Sequence, residues 1–505
     1  MLFRVYCATC IGLEVIPVVV EISMQTGVGI FLVGLPDSAV KESLLRVTTA
    51  MQSCDYRVPG RKVVINLAPA NIRKEGSGYD VAIAVGLLAA SGQMEACATD
   101  DFLIMGELAL DGSLRPVPGA LPIAMKGAEL GYSKCIFPIE SAYEAAEVDG
   151  IKVYGAKNIA DVVGILQGSG LLESLVIKRS ALPEKRKVSK VDFRDVIGQT
   201  FAKRGLEIAA SGGHNLILNG PPGSGKSFMA SCLASILPPM SRQESLSTSA
   251  VYSVAGLLTG GGLIRDRPFR TPHNTASVVA MVGGGPSATP GEISLAHNGV
   301  LYLDEISLFS ANTLDLLRQP LEERSISISR AKYKVTYPAS FMLVGSMNPC
   351  PCGYYGEEGG KCICTPGMIS RYLSKISGPL LDRMDLNITV KPVEKGLLVA
   401  GARGESSEDI SRRVSAARDL QRERFRNEGI YTNAQMDAKH LNLYCPLGKR
   451  EKEFMERVMD KLSLSARGYG RILRVSRTIA DLAGADKISV NHISEALLYR
   501  FQDFL

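Results

Sequence analysis

Apolar runs of strand length alternate with stretches of helical spacing along the first part of the chain. Val- and Ile-rich runs occupy residues 15–22, 63–67 and 102–105. Helix-like stretches occupy residues 38–54, 79–91 and 121–130. Strands that alternate with helices in this way predict an α/β domain over residues 1–177.

A charged segment ends this first block. Residues 178–187 read Lys-Arg-Ser-Ala-Leu-Pro-Glu-Lys-Arg-Lys and have no apolar period, so we expect a linker over 178–191. Strand-like runs return in the second block, 192–392. The third block, 393–505, is charged and has apolar residues at helical spacing, including 409–426 and 471–483, which predicts a helical domain. The expected fold class is α/β with several domains.

A phosphate-binding pattern opens the second block. Residues 220–227 match G-x-x-x-x-G-K-[ST], after an apolar run at 216–218 and before a helix-like stretch. This strand–loop–helix context is the one in which backbone N–H groups and a helix N-terminus hold phosphates. We expect a nucleoside triphosphate, ATP, to bind the whole loop: Gly220, Pro221, Pro222, Gly223, Ser224, Gly225, Lys226 and Ser227. Lys226 would contact the β- and γ-phosphates, and Ser227 would offer its hydroxyl to Mg²⁺.

Two further strand ends carry polar side chains suited to ATP hydrolysis. The run 299–303 ends in Asp304 and Glu305. Asp304 suits Mg²⁺, which prefers oxygen ligands, and Glu305 suits the activation of the attacking water. The run 341–346 is followed by Asn348, which either orients that water or starts a turn before Pro349.

Composition and charge limit the expected number of domains, the kind of partner and the location of the protein. The chain has 505 residues, which predicts two to four domains, and a formal net charge of +6. Most of this excess lies after residue 390, where 21 Lys and Arg face 16 Asp and Glu, a weak indication of an acidic partner. The longest apolar run, 81–90, is too short for a membrane span, and no signal peptide is evident. We expect a cytoplasmic protein without a membrane partner.

Four of the eleven cysteines lie within fifteen residues. Cys350, Cys352, Cys362 and Cys364 give two C-x-C pairs separated by nine residues. Four thiolates can close a structural Zn²⁺ site, and zinc is the favoured interpretation. An iron–sulfur cluster and unliganded reduced thiols remain open alternatives.

The order of these motifs resembles that of AAA+ ATPases, beginning with Val196-Ile197-Gly198-Gln199. The segments 290–305 and 377–386 resemble the magnesium-chelatase-like competence protein family (ComM/YifB) over essentially the whole chain. The resemblance implies a homo-hexameric ring that binds single-stranded and branched DNA. It also implies ATP-driven branch migration during natural transformation.

The same resemblance implies roles for individual residues. Gly198 and Gln199 would border the nucleotide, and Asn348 would be the first sensor. Arg383 matches the arginine finger, which acts on the nucleotide of the neighbouring subunit. Arg467, and after it Arg474, match the second sensor in the C-terminal lid.

Two basic segments are candidates for DNA contact. Polar and apolar residues alternate at 324–329 and 333–337, which predicts a β-hairpin. The resemblance implies that this hairpin points into a central pore. Its tip would present Arg330, Lys332 and Lys334 to phosphates, although charges also protect exposed hairpins from edge pairing. The Gly-rich segment 259–285 contains further arginines and His273, where the family commonly has a His pair.

The N-terminal block resembles the proteolytic domain of Lon proteases around residues 72–90 and 106–115. The position of the nucleophile is occupied by Gly78, with Ser77 one residue away, and the position of the lysine base by Arg115. An arginine stays protonated and is no general base. We therefore expect a non-proteolytic domain.

Three functions are compatible with these motifs. The favoured one is an ATP-driven DNA motor of the branch-migration helicase kind. The alternatives are a chelatase-type remodeller of a partner protein and an ATP-dependent Lon-like protease. The Lon-like start of the chain argues against the first alternative, and Gly78 and Arg115 argue against the second.

Overall fold

The computed structural model describes residues 2–95, 99–168, 176, 191–258, 262–285, 288–329, 334–356, 361–393, 396 and 404–500. Most of the expected linker, 178–190, lies outside these ranges, as do Arg330 and Lys332, which were predicted for the hairpin tip. The architecture is mixed α/β with two large sheets and a helical C-terminal part, which confirms the predicted fold class.

The N-terminal domain is built on a seven-stranded mixed sheet in the order β3-β4-β2-β1-β5-β8-β9. Its strands are β1 Leu2–Ile11, β2 Glu14–Gln25, β3 Gly29–Val33, β4 Lys62–Ala68, β5 Phe102–Ile104, β6 Glu107–Leu108, β7 Leu114–Arg115, β8 Lys134–Pro138 and β9 Lys152–Ala156, of which β6 and β7 form a separate ribbon. Its helices are α1 Ser38–Ser53, α2 Asp80–Ala90, α3 Ala120–Glu129, α4 Ile139–Ala145 and α5 Ile159–Leu166. Helix α2 is buried along nearly its whole length, since it lies in the centre of this domain's core.

The second block contains a five-stranded parallel sheet in the order β11-β14-β17-β10-β18. Its strands, with those of two small ribbons, are β10 Leu216–Asn219, β11 Phe269–Arg270, β12 Gly283–Gly284, β13 Thr289–Pro290, β14 Val300–Leu303, β15 Ser325–Ser329, β16 Lys334–Pro338, β17 Met342–Met347 and β18 Leu386–Thr389. Its helices are α6 Thr200–Gly212, α7 Lys226–Ile236, α8 Arg242–Val254, α9 Val278–Val282, α10 Glu292–Leu295, α11 Ala311–Asp315, α12 Arg318–Glu323, α13 Pro366–Leu373 and α14 Gly378–Leu381. Strands β10, β14 and β17 are buried along their whole length, as expected for a parallel sheet covered on both faces.

The C-terminal part is helical and packs against this sheet domain. Its helices are α15 Ser407–Arg424, α16 Ala438–Tyr444, α17 Lys449–Leu462, α18 Ala466–Leu482 and α19 Val490–Leu498. Helices α15 and α18 share a hydrophobic core with α6 and α7. In the described part of the chain, no helix is long and apolar enough to cross a membrane.

The N-terminal domain contacts the parallel-sheet domain through α8. Ser253 on α8 donates its hydroxyl to Glu144 Oε1 at 2.8 Å, and its carbonyl accepts from Gly119 N–H at 3.1 Å. Arg242, at the start of α8, donates to the Asp149 carboxylate at 2.9 Å. Burial raises the pKa of Glu144 to about 7, although hydrogen bonds from Ser253 and from backbone N–H groups act in the opposite direction. A buried carboxyl therefore lies at the junction between the two domains.

We expect Glu144→Gln to be more favourable for stability at pH 8 than at pH 4.5. Measured against wild type at each pH, its free energy of unfolding should gain up to about 3 kcal/mol between the two pH values. Between the unfolded value of 4.5 and about 7, the folded wild type retains a proton that the unfolded chain releases, so rising pH destabilises it. Glutamine does not titrate. Urea unfolding at both pH values measures the difference, with exposed Glu140→Gln on the same helix as control. A Glu144→Gln effect that is equal at both pH values would contradict the expectation.

Candidate nucleotide-binding site

Three adjacent strands of the parallel sheet end at one edge, and each is followed by a predicted site residue. Strand β17 lies between β10 and β14 and is parallel to both. The phosphate-binding loop follows β10, Asp304 and Glu305 follow β14, and Asn348 follows β17. Ligands of open α/β sheets bind at the carboxyl ends of the strands. The topology therefore brings the predicted nucleotide residues to one edge.

The phosphate-binding loop joins β10 to the first residue of α7. Gly223 and Gly225 adopt φ values of +76° and +87°, which glycine reaches without steric cost. Gly220 passes so close to the neighbouring strand that an added Cβ would lie 2.2 Å from the Val390 carbonyl oxygen. The glycine positions of the motif thus meet specific backbone requirements of this loop.

Lys226 lies inside the curve of the loop and reaches the end of β17. Its ammonium donates to the carbonyl oxygens of Gly220 and Pro221, at 2.7 and 2.8 Å, and to Asn348 Oδ1 at 3.1 Å. Burial lowers the pKa of Lys226, while the charges of Asp304 and Glu305 oppose this shift. The structure therefore brings Lys226 and Asn348 together.

Asp304 lies beside Ser227. The Ser227 hydroxyl is 3.2 and 3.3 Å from the two carboxylate oxygens, and Tyr302 and Ser346 donate to Oδ1 at 2.7 and 2.5 Å. Burial acts to raise the pKa of Asp304, but the hydrogen bonds from Ser346, Tyr302 and Ser227 outweigh it and lower the pKa. An ionised carboxylate next to a hydroxyl fits the oxygen ligands that Mg²⁺ prefers.

Glu305 is exposed and has a left-handed backbone, with φ 49° and ψ 56°. Its N–H donates to Ser346 Oγ at 2.9 Å. A non-glycine residue in this region carries strain that the surroundings must offset. Ser346 thus holds both acidic residues, a role that sequence reasoning missed. A buried serine in an otherwise apolar strand was the signal that could have indicated it.

Gly198 and Gln199 lie near the same edge through their contact with the segment after β18. Gln199 Nε2 donates to the Lys391 carbonyl at 2.5 Å. The preceding residue, Val390, donates its N–H to the Asn219 carbonyl at 2.7 Å, immediately before the phosphate-binding loop. Gln199, with Gly198 next to it in the chain, is therefore connected to the phosphate-binding loop through the residues that follow β18.

Arg383 belongs to the opposite edge of the sheet. Its carbonyl accepts from Asn215 Nδ2 at 3.0 Å, just before β10 begins, whereas the phosphate-binding loop follows the end of β10. A strand of four residues spans about 13 Å. The Arg383 guanidinium bonds to Glu322 and to the Pro379 carbonyl. The structure does not bring this residue to the phosphate-binding loop of its own chain.

The lid arginines face the segment on both sides of Arg383, residues 382–385. Arg467 and Arg471 lie 3.9 and 3.8 Å from Asp382 carboxylate oxygens, and Arg471 also donates to the Met384 carbonyl at 2.9 Å. Arg474 lies 3.8 Å from Asp385 Oδ1. Arg467 is mostly exposed. These arginines therefore share an edge of the sheet with the predicted finger.

The four cysteines form a compact cluster. Sulfur–sulfur distances are 3.3 Å for Cys350–Cys352 and 3.7 Å from each of these to Cys362, and the four sulfurs lie within 4.8 Å of one another. Four thiolates at Zn–S distances of about 2.3 Å would be separated by roughly 3.8 Å. The cluster fits a tetrahedral ion.

The hairpin consists of β15 and β16, paired from Ser325↔Pro338 to Ser329↔Lys334. Its apolar face, formed by Ile326, Ile328, Val335 and Tyr337, is buried. Lys334 is exposed at the start of β16. In the Gly-rich segment, Arg267 pairs with Glu244 at 2.9 Å and Arg270 pairs with Glu292 at 2.6 Å. These two arginines are neutralised within the chain, which weakens this segment as a DNA contact.

Around the Lon-like motif, Ser77 donates its hydroxyl to Glu107, and Arg115 lies 3.6 Å from the same carboxylate. An added Cβ at Gly78 would lie 3.0 Å from the Met105 methyl group. Within the described residues, Ser77 has no lysine partner that could act as a base. The Ser77 hydroxyl is thus bonded to a carboxylate, and the absence of proteolytic activity stays a prediction.

Family comparisons match consecutive parts of the chain. "Subunit ChlI of Mg-chelatase" matches residues 20–141, "Magnesium chelatase, subunit ChlI" matches 192–398, and "Magnesium chelatase, subunit ChlI C-terminal" matches 404–500. Together with the site geometry, these matches define an AAA+ protein of the magnesium-chelatase type. The N-terminal match means that the start of the chain does not by itself separate it from chelatase subunits, contrary to the sequence argument.

Comparison with curated relatives identifies the family of the chain more specifically. The chain is 42% identical to protein YifB of Salmonella typhimurium, over 99% of this chain and 97% of that protein. It is 42% identical to competence protein ComM of Haemophilus influenzae, over 98% and 97%. The magnesium-chelatase 67 kDa subunit of Chlorobaculum parvum is 26% identical over 32% of this chain and 23% of that subunit. The chain belongs to the ComM/YifB family, which confirms the resemblance expected from its motifs.

Proposed function

We propose that this chain is an ATP-hydrolysing motor that forms a homo-hexameric ring on DNA. It would act on single-stranded and branched DNA as a branch-migration helicase, in recombination during natural transformation. The observation that carries the proposal is that the candidate ATPase residues lie at two opposite edges of the parallel sheet. The phosphate-binding loop and the residues after β14 and β17 lie at the carboxyl edge, and Arg383 lies at the amino edge. The name of the Haemophilus relative, a competence protein, supports the biological setting.

At the carboxyl edge, the residues suit nucleotide binding and hydrolysis. The amides of residues 220–227 and the Lys226 ammonium would hold the phosphates of ATP. Ser227 and Asp304 would hold Mg²⁺, which screens the phosphate charge when bound. Glu305 would take the proton of the attacking water, and Asn348 would orient that water from the end of β17.

At the amino edge, Arg383 would serve a neighbouring subunit. Its backbone lies about one strand length from its own phosphate-binding loop, which supports action in trans. The lid residues Arg467 and Arg474 lie close to Asp382 and Asp385, on either side of Arg383, and would face the same neighbour. A cation that approaches the γ-phosphate only across a subunit junction makes hydrolysis depend on assembly.

The β15–β16 hairpin is the proposed DNA contact. Its apolar face is anchored in the core, so its two described strands form a fixed base. Lys334, with Arg330 and Lys332 in the part of the chain that is not described, would contact phosphates without reading sequence. Weakened binding at higher salt is the expected signature of such contacts.

Strand displacement tests the proposal. Wild type should migrate or unwind a three-strand DNA junction with ATP and Mg²⁺, and single-stranded DNA should stimulate its ATP hydrolysis. Lys226→Ala should lose both activities while the ring still forms. ATP hydrolysis that ignores DNA but responds to a porphyrin-inserting partner would favour the chelatase-type alternative. Peptide cleavage abolished by Ser77→Ala would favour the protease.

We also propose that the four-cysteine cluster holds one structural Zn²⁺ per chain. The sulfur spacing supports a tetrahedral site, and a site closed by four thiolates leaves no position for substrate. We expect metal analysis of purified protein to find about one zinc per chain, and Cys364→Ser to lose it. Cys232→Ser, a buried thiol outside the cluster, is the control. Protein that contains neither zinc nor iron would refute the site.

A further inference from the structure

Gly353 of the four-cysteine loop lies against Pro222 of the phosphate-binding loop. Gly353 is buried, and a Cβ built on it would lie 2.5 Å from Cδ and 2.7 Å from Cγ of Pro222. Its φ of +88° is in the left-handed region. Only a residue without a side chain can occupy this position while the two loops stay in contact. This contact connects the cysteine cluster to the nucleotide site.

Gly353 is itself fixed by the cluster. It follows Cys352 directly, and its N–H donates to the Cys350 carbonyl at 3.0 Å. Cys350 is fully buried. The cluster begins two residues after Asn348, and Met347 at the end of β17 accepts from the Gly220 N–H at 3.2 Å. The cysteine loop therefore starts within the nucleotide site and returns to it at Gly353.

The phosphate-binding loop needs such support on this side. Gly223 and Gly225 follow Pro222, and a Cβ on either would meet no atom within 4 Å. Glycines lose the most conformational freedom on ordering. Because the ring of Pro222 fixes its own φ, a contact that holds this ring also limits the glycines that follow.

We propose that Gly353 is a positioning residue, through which the four-cysteine loop holds Pro222 and keeps the phosphate-binding loop in its binding conformation. The inference rests on the proposed nucleotide function of that loop. The cysteines lie outside the phosphate-binding loop, residues 220–227. Their effect on the nucleotide passes through Gly353 and Pro222.

The chain contains a matched control. Gly356 lies in the same loop with φ +80°, and a Cβ on it would meet no atom within 4 Å. Gly353→Ala and Gly356→Ala thus impose similar backbone strain, but only the first forces Pro222 to move. Misplacement of reacting groups by about 1 Å can cost on the order of 10²-fold in rate, and we expect a loss of up to similar order in affinity when the phosphate-binding amides are displaced. We expect Gly353→Ala to raise the Kd for a fluorescent ATP analogue by about 10- to 100-fold, and Gly356→Ala to leave it near wild type.

Three further measurements complete the test. The KM for ATP should rise with Kd in Gly353→Ala, while kcat at saturation changes less. Pro222→Ala should weaken binding in the same direction, because it removes the contact from the other side. Cys364→Ser protein that lacks metal should bind the analogue as weakly as Gly353→Ala, since its loop is no longer held.

Equal Kd values for Gly353→Ala and Gly356→Ala would overturn the inference. So would a Cys364→Ser protein that loses its metal but binds the analogue like wild type. Failure of the proposed function is distinguishable, because wild type itself would then bind no nucleotide or show no response to DNA. The binding measurement needs neither turnover nor DNA.

Discussion

Arg383→Ala should lower the rate of ATP hydrolysis in assembled rings by about 10³- to 10⁵-fold, the range found for removed arginine fingers. Nucleotide affinity should change little, because the phosphates are held mainly by residues 220–227. ATP turnover measured at saturating ATP and Mg²⁺, with the ring verified by light scattering, gives the comparison. Exposed Arg371→Ala on α13 is the control for the loss of one surface cation.

The reason for this large effect lies in the two edges of the sheet. Arg383 bonds through its carbonyl to Asn215 at the start of β10, and Lys226 lies beyond the end of the same strand. The Glu322 carboxylate bonds to the Arg383 guanidinium within the chain, and a neighbour's γ-phosphate would compete for this cation. Charge stabilisation at a water-excluded junction is worth far more than a surface ion pair.

Mixed rings decide whether the arginine acts in trans. Lys226→Ala chains retain Arg383, and Arg383→Ala chains retain a complete phosphate-binding loop. Each variant alone should be inactive. A mixture should regain part of the wild-type rate, at junctions where the intact loop of one chain meets the intact arginine of the next. Mixtures that stay inactive, or dilute monomer that hydrolyses ATP as fast as the ring, would contradict action in trans.

The sequence predicted that the candidate nucleotide residues follow strands, because each is attached to a local pattern, and their roles stay predictions. An apolar strand followed by Lys226, by Asp304 or by Asn348 can be found without knowledge of the fold. The parallel topology then brings these strand ends together, as it does in any sheet of this class. Local periodicity and a general rule of sheet packing were sufficient for this part of the site.

Contacts between distant segments could not be predicted in the same way. The support of both carboxylates by Ser346, the pairing of Arg270 with Glu292 and the approach of Gly353 to Pro222 join residues from different elements. No periodicity carries this information, because such contacts depend on the register of whole strands and loops. For the same reason, the sequence did not show that Arg267 and Arg270 of the Gly-rich segment are paired with carboxylates.

The predicted start of one helix was wrong, at a segment that contains two glycines. The pattern predicts a helix over 471–483, but the structure has α18 from Ala466 to Leu482. Gly468 and Gly470 lower the helical propensity of its first turns. The helix begins there because Ser465 caps it, its hydroxyl accepting from Gly468 N–H at 3.1 Å. Tertiary packing and a cap therefore outweigh intrinsic propensity at this end.

Glu305→Gln should reduce ATP hydrolysis by about 10²- to 10⁴-fold, the usual contribution of a general base, while the nucleotide stays bound. Glutamine keeps the size and backbone of Glu305 and its bond to Ser346, but it cannot accept the proton of the attacking water. Single-turnover hydrolysis and analogue binding separate the two effects, and exposed Glu323→Gln on α12 is the control.

The adjacent carboxylate should behave differently, and the contrast tests the assignment of both. Asp304→Asn removes a charge beside Ser227, so it should weaken Mg²⁺-dependent nucleotide binding before hydrolysis is reached. Glu305→Gln should instead trap ATP in an assembled ring that still holds DNA. If Glu305→Gln hydrolysed ATP at the wild-type rate, the base would be another group, and the strained backbone of Glu305 would then have no catalytic explanation.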